Sequence, residues 1–459
     1  MKRDISPLVS PRSIAVIGAS SNPNKSGGVL FANLASGGFK GPLYPINRSA
    51  DEIMGHKAYP ALEDVPDHVD LVYIVLPQAH VENAIRQCVA AKAGAACIIT
   101  AGFSEASDRG RADEDKLREI AAESGLLMAG PNTIGMVNAD CGMMGSFVNF
   151  PHWERGGVSF FTQTGIFTGA VMLDVMTSQN QRLPVSKSID VGNKIDVDEV
   201  DFLNYIADDP QTKVVGLYVE SIRDPRTFLE KAAEVRRKKP IILLKPGRTQ
   251  EGAKASASHT GSLASDDEIL DGALRQYGIA RAQDEADFLN VLRAIAMLPT
   301  PAGRRVGIAT TSGALGVIST DLIVDGGLEL ANYAPETLQA MRGILPDWLE
   351  PSNPFDFWIG IDVKGPREAH EVGLGAVFAD PNVDLVLCTL LAPGNADFDG
   401  FGSLVAKLRK THNKPVAMVI YGGSARSRWT SELEGANVPV YRTTREAARA
   451  LSLMVQATL

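Results

Sequence analysis

Cysteine is scarce in this sequence, and its spacing is irregular. Only four cysteines occur among 459 residues, at Cys88, Cys97, Cys141 and Cys388. Structural zinc sites and disulfide frameworks need clustered or regularly spaced cysteines, and no C-x-x-C spacing occurs here. The sequence therefore predicts neither a metal site nor a disulfide-stabilised fold.

Long basic runs and long apolar runs are missing as well. The formal net charge is -9, and the longest run of Lys and Arg is Arg236-Arg237-Lys238-Lys239. Because nucleic-acid-binding chains normally carry a basic patch, no nucleic-acid partner is expected. No apolar run is long enough to cross a bilayer, and the first residues lack the apolar core of a signal peptide. We expect no membrane association and a cytoplasmic location.

Short apolar runs alternate with helical patterns along the whole chain, which predicts an α/β fold with buried parallel sheets. The runs that predict strands are Ser13–Ile17, Leu43–Ile46, Leu71–Val75, Ala96–Thr100, Val158–Phe161, Val214–Val219, Ile241–Leu244, Val306–Ala309, Leu385–Leu390 and Val416–Ile420. Helical patterns cover Ala79–Ala93, Arg111–Ser124 and Thr227–Lys238. Breaks near Met143–Gly157 and Leu298–Gly303 predict three domains, at 1–143, 144–299 and 300–459.

Two segments in the second and third domains share one pattern. Val158–Gly165 aligns without gaps on Val306–Gly313, and each runs from a strand into a hydroxyl–glycine turn and a helix. Free backbone N–H groups and the positive end of the helix dipole favour an anion at such a turn. A phosphoryl group is therefore expected near Gln163, Thr164, Gly165, Ser312 and Gly313. The alternative is two ordinary helices capped by Thr164 and Ser312.

The first domain begins like a nucleotide-binding unit. A strand runs into Gly18, but Ser20 replaces the second glycine of G-x-G-x-x-G, and the second strand ends in Asn47-Arg48 instead of an acid. Arginine suits a ribose phosphate, which both CoA and NADP carry, so both ligands remain open. The residues expected to line the site stand at strand ends and in the glycine turn: Gly18, Ser20, Ser21, Lys25, Asn47, Arg48, Leu76, Pro77, Thr100, Phe103, Ser104 and Glu105.

His259 lies in a stretch of small and hydroxylated residues, Pro246 to Ser265. It is one of seven histidines, and it has scarcely a large apolar neighbour in sequence. A neutral imidazole is nucleophilic at pH 7, so a histidine on a mobile loop suits a group that receives and passes on a phosphoryl group. A surface histidine in an Ala/Ser-rich linker is the alternative.

These motifs together resemble the α-type subunit of nucleoside-diphosphate-forming acyl-CoA synthetases, the superfamily of succinyl-CoA synthetase and ADP-forming acetyl-CoA synthetase. The segments that carry the resemblance are Ser258–Gly261, Gly130–Gly135, Gln163–Gly165, Val191–Lys194, Leu217–Glu220 and Ser352–Asp356. The resemblance implies a Rossmann-like CoA-binding domain followed by two flavodoxin-like parallel-sheet domains, the first of which carries a phosphorylated histidine.

The resemblance also implies roles for particular residues. His259 resembles the histidine that accepts phosphate, and Glu220 resembles the carboxylate that hydrogen-bonds its other ring nitrogen. Glu220 could instead be a solvated acid after a strand. The residues implied to lie near the acyl group are Asn132, Thr133, Gly192 and Asn193.

Three departures from the family pattern bear on these roles. Thr133 stands where the family often has cysteine or serine, and Ser265 stands where it often has glycine. Phe355, Phe357 and Trp358 replace smaller residues, which indicates either a bulky, aromatic or cationic acyl group or an ordinary hydrophobic loop.

No ATP-grasp module is recognisable in the sequence, and in the family this module is either fused or a separate β chain. We therefore expect a partner ATP-grasp β subunit that binds ATP or ADP with Mg²⁺, in a hetero-oligomer of the α2β2 type. The predicted activity is acyl-CoA formation from a carboxylic acid, CoA and ATP through an acyl phosphate and a phosphohistidine relay. The alternatives are a non-catalytic CoA-binding or CoA-sensing protein of the same fold and an NADP-dependent oxidoreductase.

Overall fold

The computed structural model describes residues 3–150, 154–177, 181–260 and 267–459, and among these it leaves aside the side chains of residues 168, 175–177, 256–260 and 395. The described chain divides into two compact units. The first unit holds residues up to Arg281 except Gln181 and Arg182, and the second holds those two residues and Ala282–Leu459. None of the helices in the described part is long and apolar enough to cross a membrane.

The first sheet of the first unit is parallel, with strand order β2-β1-β5-β6-β7. Its strands are β1 (Ile14–Ile17), β2 (Leu43–Ile46), β5 (Leu71–Ile74), β6 (Ala95–Ile98) and β7 (Leu127–Ala129), and a small hairpin is formed by β3 (Glu52–Ile53) and β4 (His56–Lys57). Its helices are α1 (Ser6–Val9), α2 (Ser26–Ser36), α3 (Val81–Ala90) and α4 (Asp108–Ser124).

The second sheet of this unit has seven strands in the order β14-β13-β12-β10-β11-β8-β9. The strands are β8 (Gly135–Asn138), β9 (Met143–Ser146), β10 (Arg155–Thr162), β11 (Val185–Asp190), β12 (Val214–Tyr218), β13 (Ile241–Leu244) and β14 (Ala280–Arg281). Strands β10 to β14 are parallel, and β8, in the hairpin with β9 at one edge, runs antiparallel to both of its neighbours, β11 and β9. The helices are α5 (Met172–Thr177), α6 (Glu199–Ile206), α7 (Pro225–Arg236), α8 (Gln250–Thr260) and α9 (Asp267–Tyr277).

The second unit contains a parallel sheet of order β16-β15-β18-β19-β20, with β17 paired to β15. The strands are β15 (Arg305–Thr310), β16 (Glu329–Leu330), β17 (Phe355–Asp356), β18 (Leu385–Leu391), β19 (Val416–Tyr421) and β20 (Val440–Tyr441). The helices are α10 (Glu285–Met297), α11 (Gly313–Asp325), α12 (Pro335–Arg342), α13 (Trp358–Lys364), α14 (Pro366–Ala379), α15 (Phe401–His412), α16 (Arg426–Gly435) and α17 (Thr444–Thr458).

The central strands are buried on both faces, which explains why they read as continuous apolar runs. Every residue of β1, β5 and β6 is buried, as is every residue of β13. All ten predicted strands are present, so the predicted α/β class is confirmed. Of the predicted domain boundaries, 143/144 falls at the start of β9, and 299/300 lies beyond α10, which belongs to the second unit.

One local prediction is wrong. The segment around His259 was expected to be a loop, but Gln250–Thr260 forms helix α8. The sequence from Gln250 is rich in alanine, which has the highest helix propensity, and contains no proline. Thr249 caps the first turn, because the Gly252 N–H donates to its Oγ1 at 3.0 Å. Small residues therefore favoured a helix here, not an irregular loop.

Candidate active site

A cavity of about 280 Å³ opens at the carboxyl edge of the first sheet. Four of the residues predicted to bind CoA line it: Gly18, Asn47, Arg48 and Leu76. Gly18 has φ +91° and a Cβ there would lie 2.1 Å from the Val75 carbonyl oxygen, so only glycine fits. Arg48 is exposed and makes no hydrogen bond or ion pair with the described residues, which leaves its guanidinium available to an anion.

The other eight predicted residues do not line this cavity, and several use their polar atoms within the protein. Thr100 Oγ1 donates to the Leu76 carbonyl oxygen at 2.6 Å, and Ser20 Oγ accepts from Asn22 N–H at 3.1 Å. Phe103 is a core residue with 2% exposure. Ser104 Oγ donates to Glu114 at 2.6 Å. The remaining four are Ser21, Lys25, Pro77 and Glu105.

Sequence analysis missed the helical wall of the cavity. His80, which precedes α3, and Asn83 and Gln87, within α3, line it together with Pro60 and Ala61. The spacing of the three polar residues, at i, i+3 and i+7, places them on one helix face. That spacing was the signal that could have identified them.

In the second sheet, β10 is followed by the turn Gln163–Gly165, called the first turn below. This turn lies beside the end of β12, and Glu220 follows that strand. Gln163 Oε1 accepts from the backbone N–H of Glu220 at 2.8 Å and of Ser221 at 3.0 Å. The Gln163 side chain therefore holds the backbone that carries Glu220. Gly165 is packed so closely that a Cβ would lie 2.4 Å from Ile134 Cγ2.

A buried lysine completes this arrangement. Lys194 Nζ donates to Gln163 Oε1 at 3.3 Å and to the Ser221 carbonyl oxygen at 2.6 Å, and it pairs with Glu199 at 2.8 Å. The side chains of Lys194 and Glu199 are 3% and 0% exposed. A buried pair of this kind fixes the segment from Glu220 to Ser221 against the first turn.

Glu220 is 9% exposed and influences two neighbouring groups. Burial, then the charge of Glu220 and a hydrogen bond to it, raise the pKa of the Tyr218 hydroxyl. Burial, with a contribution from the charge of Glu220, raises the pKa of Asp190 to about 6, although hydrogen bonds from Ile134, Thr133 and Gly192 oppose the shift. The charge of Glu220 thus reaches both neighbouring groups at this edge of the sheet.

Thr133 and Asn193, both predicted near the acyl group, are engaged inside the protein. Thr133 Oγ1 lies 2.8 Å from both the carboxylate and the carbonyl oxygen of Asp190. Asn193 Nδ2 donates to Glu105 at 2.6 Å and to Glu114 at 2.8 Å. Asn193 thereby connects the two sheets of the first unit.

The other two predicted acyl-site residues lie in the same pair of loops. Asn132 Nδ2 is 3.4 Å from Asn193 Oδ1. A Cβ on Gly192 would lie 2.2 Å from the Pro131 carbonyl oxygen, so glycine allows the loops to touch. The structure therefore gathers all four residues, while their contact with an acyl group stays a prediction.

His259 belongs to α8, which begins six residues after β13, but its side chain lies outside the described residues. Gly261 and Ser265 also lie outside them. Strand β13 pairs with β12, so the segment that leads to His259 starts beside the strand that leads to Glu220.

The second turn, Thr311–Gly313, lies in the second unit. Thr310 Oγ1 contacts Thr389 Oγ1 at 3.1 Å and accepts a hydrogen bond from Ser312 N–H at 3.1 Å. Thr311 Oγ1 accepts a hydrogen bond from Leu391 N–H at 2.8 Å. Ser312 occupies the N-cap position of α11 without a side-chain capping bond. The alternative interpretation, in which the Ser312 hydroxyl caps the helix, therefore does not hold.

A carboxylate stands at the second turn. Asp356 accepts from Trp358 N–H at 3.1 Å and also from the backbone of Gly313. Burial raises the pKa of Asp356, and these two hydrogen bonds oppose the shift. Phe355 and Phe357, beside it, are 1% and 0% exposed, so they are core residues, as the hydrophobic-loop alternative expected.

Comparison with known families matches both parts of the first unit. Residues 12–139 match the CoA binding domain family, and residues 155–295 match the succinyl-CoA ligase-like flavodoxin domain family. The first match contains the cavity with Gly18 and Arg48, and the second contains Gln163, Glu220 and His259. Among the described residues, no group of three or more His, Cys, Asp and Glu could hold a metal ion.

Similar proteins cover nearly the whole chain. The acetate–CoA ligase [ADP-forming] II of Archaeoglobus fulgidus is 34% identical over 98% of this chain, which spans 66% of that protein. The acetate–CoA ligase [ADP-forming] II subunit alpha of Pyrococcus furiosus is 34% identical over 97% of this chain and 96% of its own length. The acetyl-coenzyme A synthetase 1 of Ca. Korarchaeum cryptofilum, in complex with phosphate and ADP, is 33% identical with a TM-score of 0.91, covering 99% of this chain and 97% of that chain.

Proposed function

The chain belongs to the family of ADP-forming acyl-CoA ligases, and we propose that it makes acyl-CoA from a carboxylic acid, CoA and ATP through an acyl phosphate and a phosphohistidine at His259. The observation that carries the proposal is the position of Glu220. Gln163 and Lys194 hold its backbone at the carboxyl edge of the sheet from which the His259 segment departs. Ligands of parallel sheets bind at that edge.

The proposed relay has three transfers. In the first, the terminal P–O bond of ATP breaks, an N–P bond forms on His259, and ADP leaves. In the second, a carboxylate oxygen of the acid attacks phosphorus, the N–P bond breaks and acyl phosphate forms. In the third, the CoA thiolate attacks the acyl carbon and inorganic phosphate leaves. Covalent catalysis divides one difficult step into easier ones.

Glu220 is proposed to orient the imidazole of His259. A carboxylate that accepts a hydrogen bond from one ring nitrogen leaves the other nitrogen unprotonated and nucleophilic. The same negative charge stabilises the positive charge that the ring acquires as the N–P bond forms. The enclosed position of Glu220 strengthens this interaction, because fewer water molecules screen it.

CoA is proposed to bind the cavity of the first sheet, with Arg48 at its phosphate groups. Support comes from the unpaired guanidinium of Arg48 and the close glycine turn at Gly18. Family membership favours CoA over NADP, and therefore a ligase over an oxidoreductase. Asn193, which contacts Glu105 and Glu114, links this domain to the acyl loops.

The first turn is proposed to bind the phosphoryl group between transfers through its backbone N–H groups. The second turn is proposed as a separate anion site at the N-terminus of α11. ATP or ADP, with Mg²⁺, is proposed to bind a partner ATP-grasp β subunit in an α2β2-type assembly. A relative of nearly the same length is named subunit alpha, which supports a partner chain. The carboxylic acid remains to be found by screening with that partner.

Phosphorylation of His259 tests the proposal. The chain incubated with ³²P-labelled acetyl phosphate, or with labelled ATP and the partner, should acquire an acid-labile, base-stable label. His259→Ala should lose the label and turnover, and it should bind CoA as the wild type does. Label that persists in His259→Ala would overturn the assignment. CoA binding with no labelling of the wild type would identify a CoA-binding or CoA-sensing protein instead.

A further inference from the structure

Charged side chains lie at the ends of four strands at the carboxyl edge of the second sheet. Arg281 ends β14, Lys245 follows β13, Glu220 follows β12, and Asp190 ends β11 beyond β10. The register places Leu244 beside Tyr218 and Leu243 beside Arg281. Lys245 therefore follows β13 next to the end of the segment Val219–Glu220, and the charges of Arg281 and Glu220 both act on it.

Lys245 is half-buried and pairs with no carboxylate among the described residues. The one hydrogen bond of its Nζ within the described part of the chain goes to the Pro246 carbonyl oxygen at 3.4 Å, and no described carboxylate lies within 4.0 Å. Lys194 and Lys187, at the same sheet, pair with carboxylates at 2.8 and 2.6 Å. Burying an unpaired ammonium group costs free energy, so a bound anion would stabilise Lys245 at this position.

Arg281 adds positive charge next to it. Its side chain is 7% exposed, and Nη2 donates to Asp267 at 2.5 Å and to the Lys245 carbonyl oxygen at 3.4 Å. Its Nε is buried without a hydrogen-bond partner among the described residues, and its Nη1 lies 3.5 Å from Asp271 Oδ1. Arg248 lies 3.7 Å from the same Asp267. Asp267 and Asp271 thus pair with neighbouring arginines, and within the described part of the chain no carboxylate is left to pair with Lys245.

The electrostatic surroundings agree with this geometry. Burial and the charge of Arg281 lower the pKa of Lys245, while Asp267 and Glu220 raise it by a smaller amount. An anion bound beside Lys245 would raise its pKa and stabilise the ammonium form. Lys245 is also the residue from which the chain runs into the segment that bears His259.

We propose that Lys245 binds the travelling phosphoryl group at the edge shared with Glu220, with Arg281 supporting the same negative charge. The inference rests on the proposed phosphohistidine relay and adds a phosphoryl-binding residue to it. While the P–O bond of acyl phosphate breaks and the N–P bond forms, the carboxylate leaves and the phosphoryl oxygens stay negative. Lys245 keeps its proton throughout and offsets that charge, as Glu220 offsets the charge on the ring.

Three variants of the full chain test this role. Lys245→Met removes the charge at similar length, and Lys245→Arg keeps the charge. Lys238→Met is the control, because Lys238 stands before the same strand β13, is 62% exposed and pairs only with the exposed Asp208 at 3.5 Å among the described residues. The measurements are the rate of acid-labile labelling by ³²P-acetyl phosphate, its half-saturating concentration, CoA binding and the midpoint of thermal unfolding.

Lys245→Met should label about 10- to 100-fold more slowly than the wild type and need a higher acetyl phosphate concentration, since a charge-assisted contact is lost. Lys245→Arg should recover most of the rate, and Lys238→Met should stay within about 2-fold. CoA binding should not move in any variant, and the unfolding midpoint should not fall in any of them. In Lys245→Met the midpoint should rise slightly, because a half-buried cation without a paired carboxylate is removed.

Wild-type labelling in Lys245→Met would overturn the inference and leave the relay intact. A parallel loss of CoA binding and thermal stability in Lys245→Met would also overturn it, because the role would then be structural. Absence of label in the wild type itself would overturn the relay, and this inference with it.

Discussion

The first turn, Gln163–Gly165, and the second turn, Thr311–Gly313, follow strands of nearly the same sequence pattern, but their surroundings differ. Around the first turn lie buried charged groups, including Lys194, Glu199 and Glu220. Around the second turn lie the hydroxyls of Thr310 and Thr389, with the half-buried Asp356 as the one carboxylate in the contacts described for that turn. The same local pattern therefore sits in two different electrostatic settings.

This difference suggests different roles for the two turns. Both lead into a helix, whose N-terminus favours an anion, but the N–H groups of the second turn itself donate to Thr389, Thr310 and Asp356. The first turn also adjoins a fixed carboxylate that can orient an imidazole, whereas the hydroxyl network of the second turn is mainly structural. We infer that histidine chemistry depends on the first turn and that the second turn acts by binding.

The largest expected effect is on stability at the first turn. Lys194→Met leaves Glu199 buried without its partner, and loss of one member of a buried pair costs about 3–5 kcal/mol of unfolding free energy. Thr389→Val at the second turn removes one neutral hydroxyl contact and should cost about 1 kcal/mol. Denaturant unfolding measures both. The double variant Lys194→Met/Glu199→Leu should recover most of the loss, and equal costs at the two turns would contradict the comparison.

Lowering the pH should change the unfolding free energy contributed by the two settings in opposite directions. The pKa of Asp190, near the first turn, is raised by burial from 3.8 to about 6, so the folded state binds a proton first and stability increases as pH falls through this window. Burial lowers the pKa of His370, which packs on Phe357 beside Asp356, from 6.5 to about 4. The unfolded state then binds the proton first, so stability decreases as pH falls from 6.5 to 4.

Each group should contribute on the order of 3 kcal/mol across its window. The measurement is the unfolding free energy of the wild type minus that of Asp190→Asn, and minus that of His370→Phe, between pH 4 and 7. The first difference should rise towards acid and the second should fall. Two slopes of the same sign would show that burial does not control these groups.

The smallest of these effects concerns the relay itself. Glu220→Gln keeps the size of the side chain but removes the charge that stabilises the phosphorylated ring, which is worth about 1.5–3 kcal/mol. Turnover should therefore fall about 10- to 100-fold. Asp356→Asn at the second turn should change turnover less than about 3-fold, because no imidazole is proposed to contact it. Wild-type turnover in Glu220→Gln, or an equal loss in both variants, would remove the distinction between the turns.

Most of the longer apolar strands could be predicted, but the six-residue strand β11, with a polar sequence, could not. Strand β11, Val185–Asp190, has no apolar run, yet all its residues are buried. Lys187 is accommodated because its Nζ pairs with Asp140 at 2.6 Å and Asp209 at 2.9 Å. These partners are distant in sequence, and no periodic pattern predicts the pairing. For this reason Asp190, at the end of the strand, was not among the predicted site residues.

The sequence by itself determined the α/β class, the central strands of three sheets and the positions of His259 and Glu220 relative to them. Apolar runs and strand ends carry this information locally, because burial of a strand and the direction of the chain do not depend on distant partners. It did not determine that Gln163 supports the Glu220 backbone, that Asn193 reaches Glu105, or that Lys245 pairs with no carboxylate in the part of the chain that the structure describes. Only the tertiary structure decided these points, because the partner of a polar side chain is supplied by neighbouring strands that lie far apart in sequence.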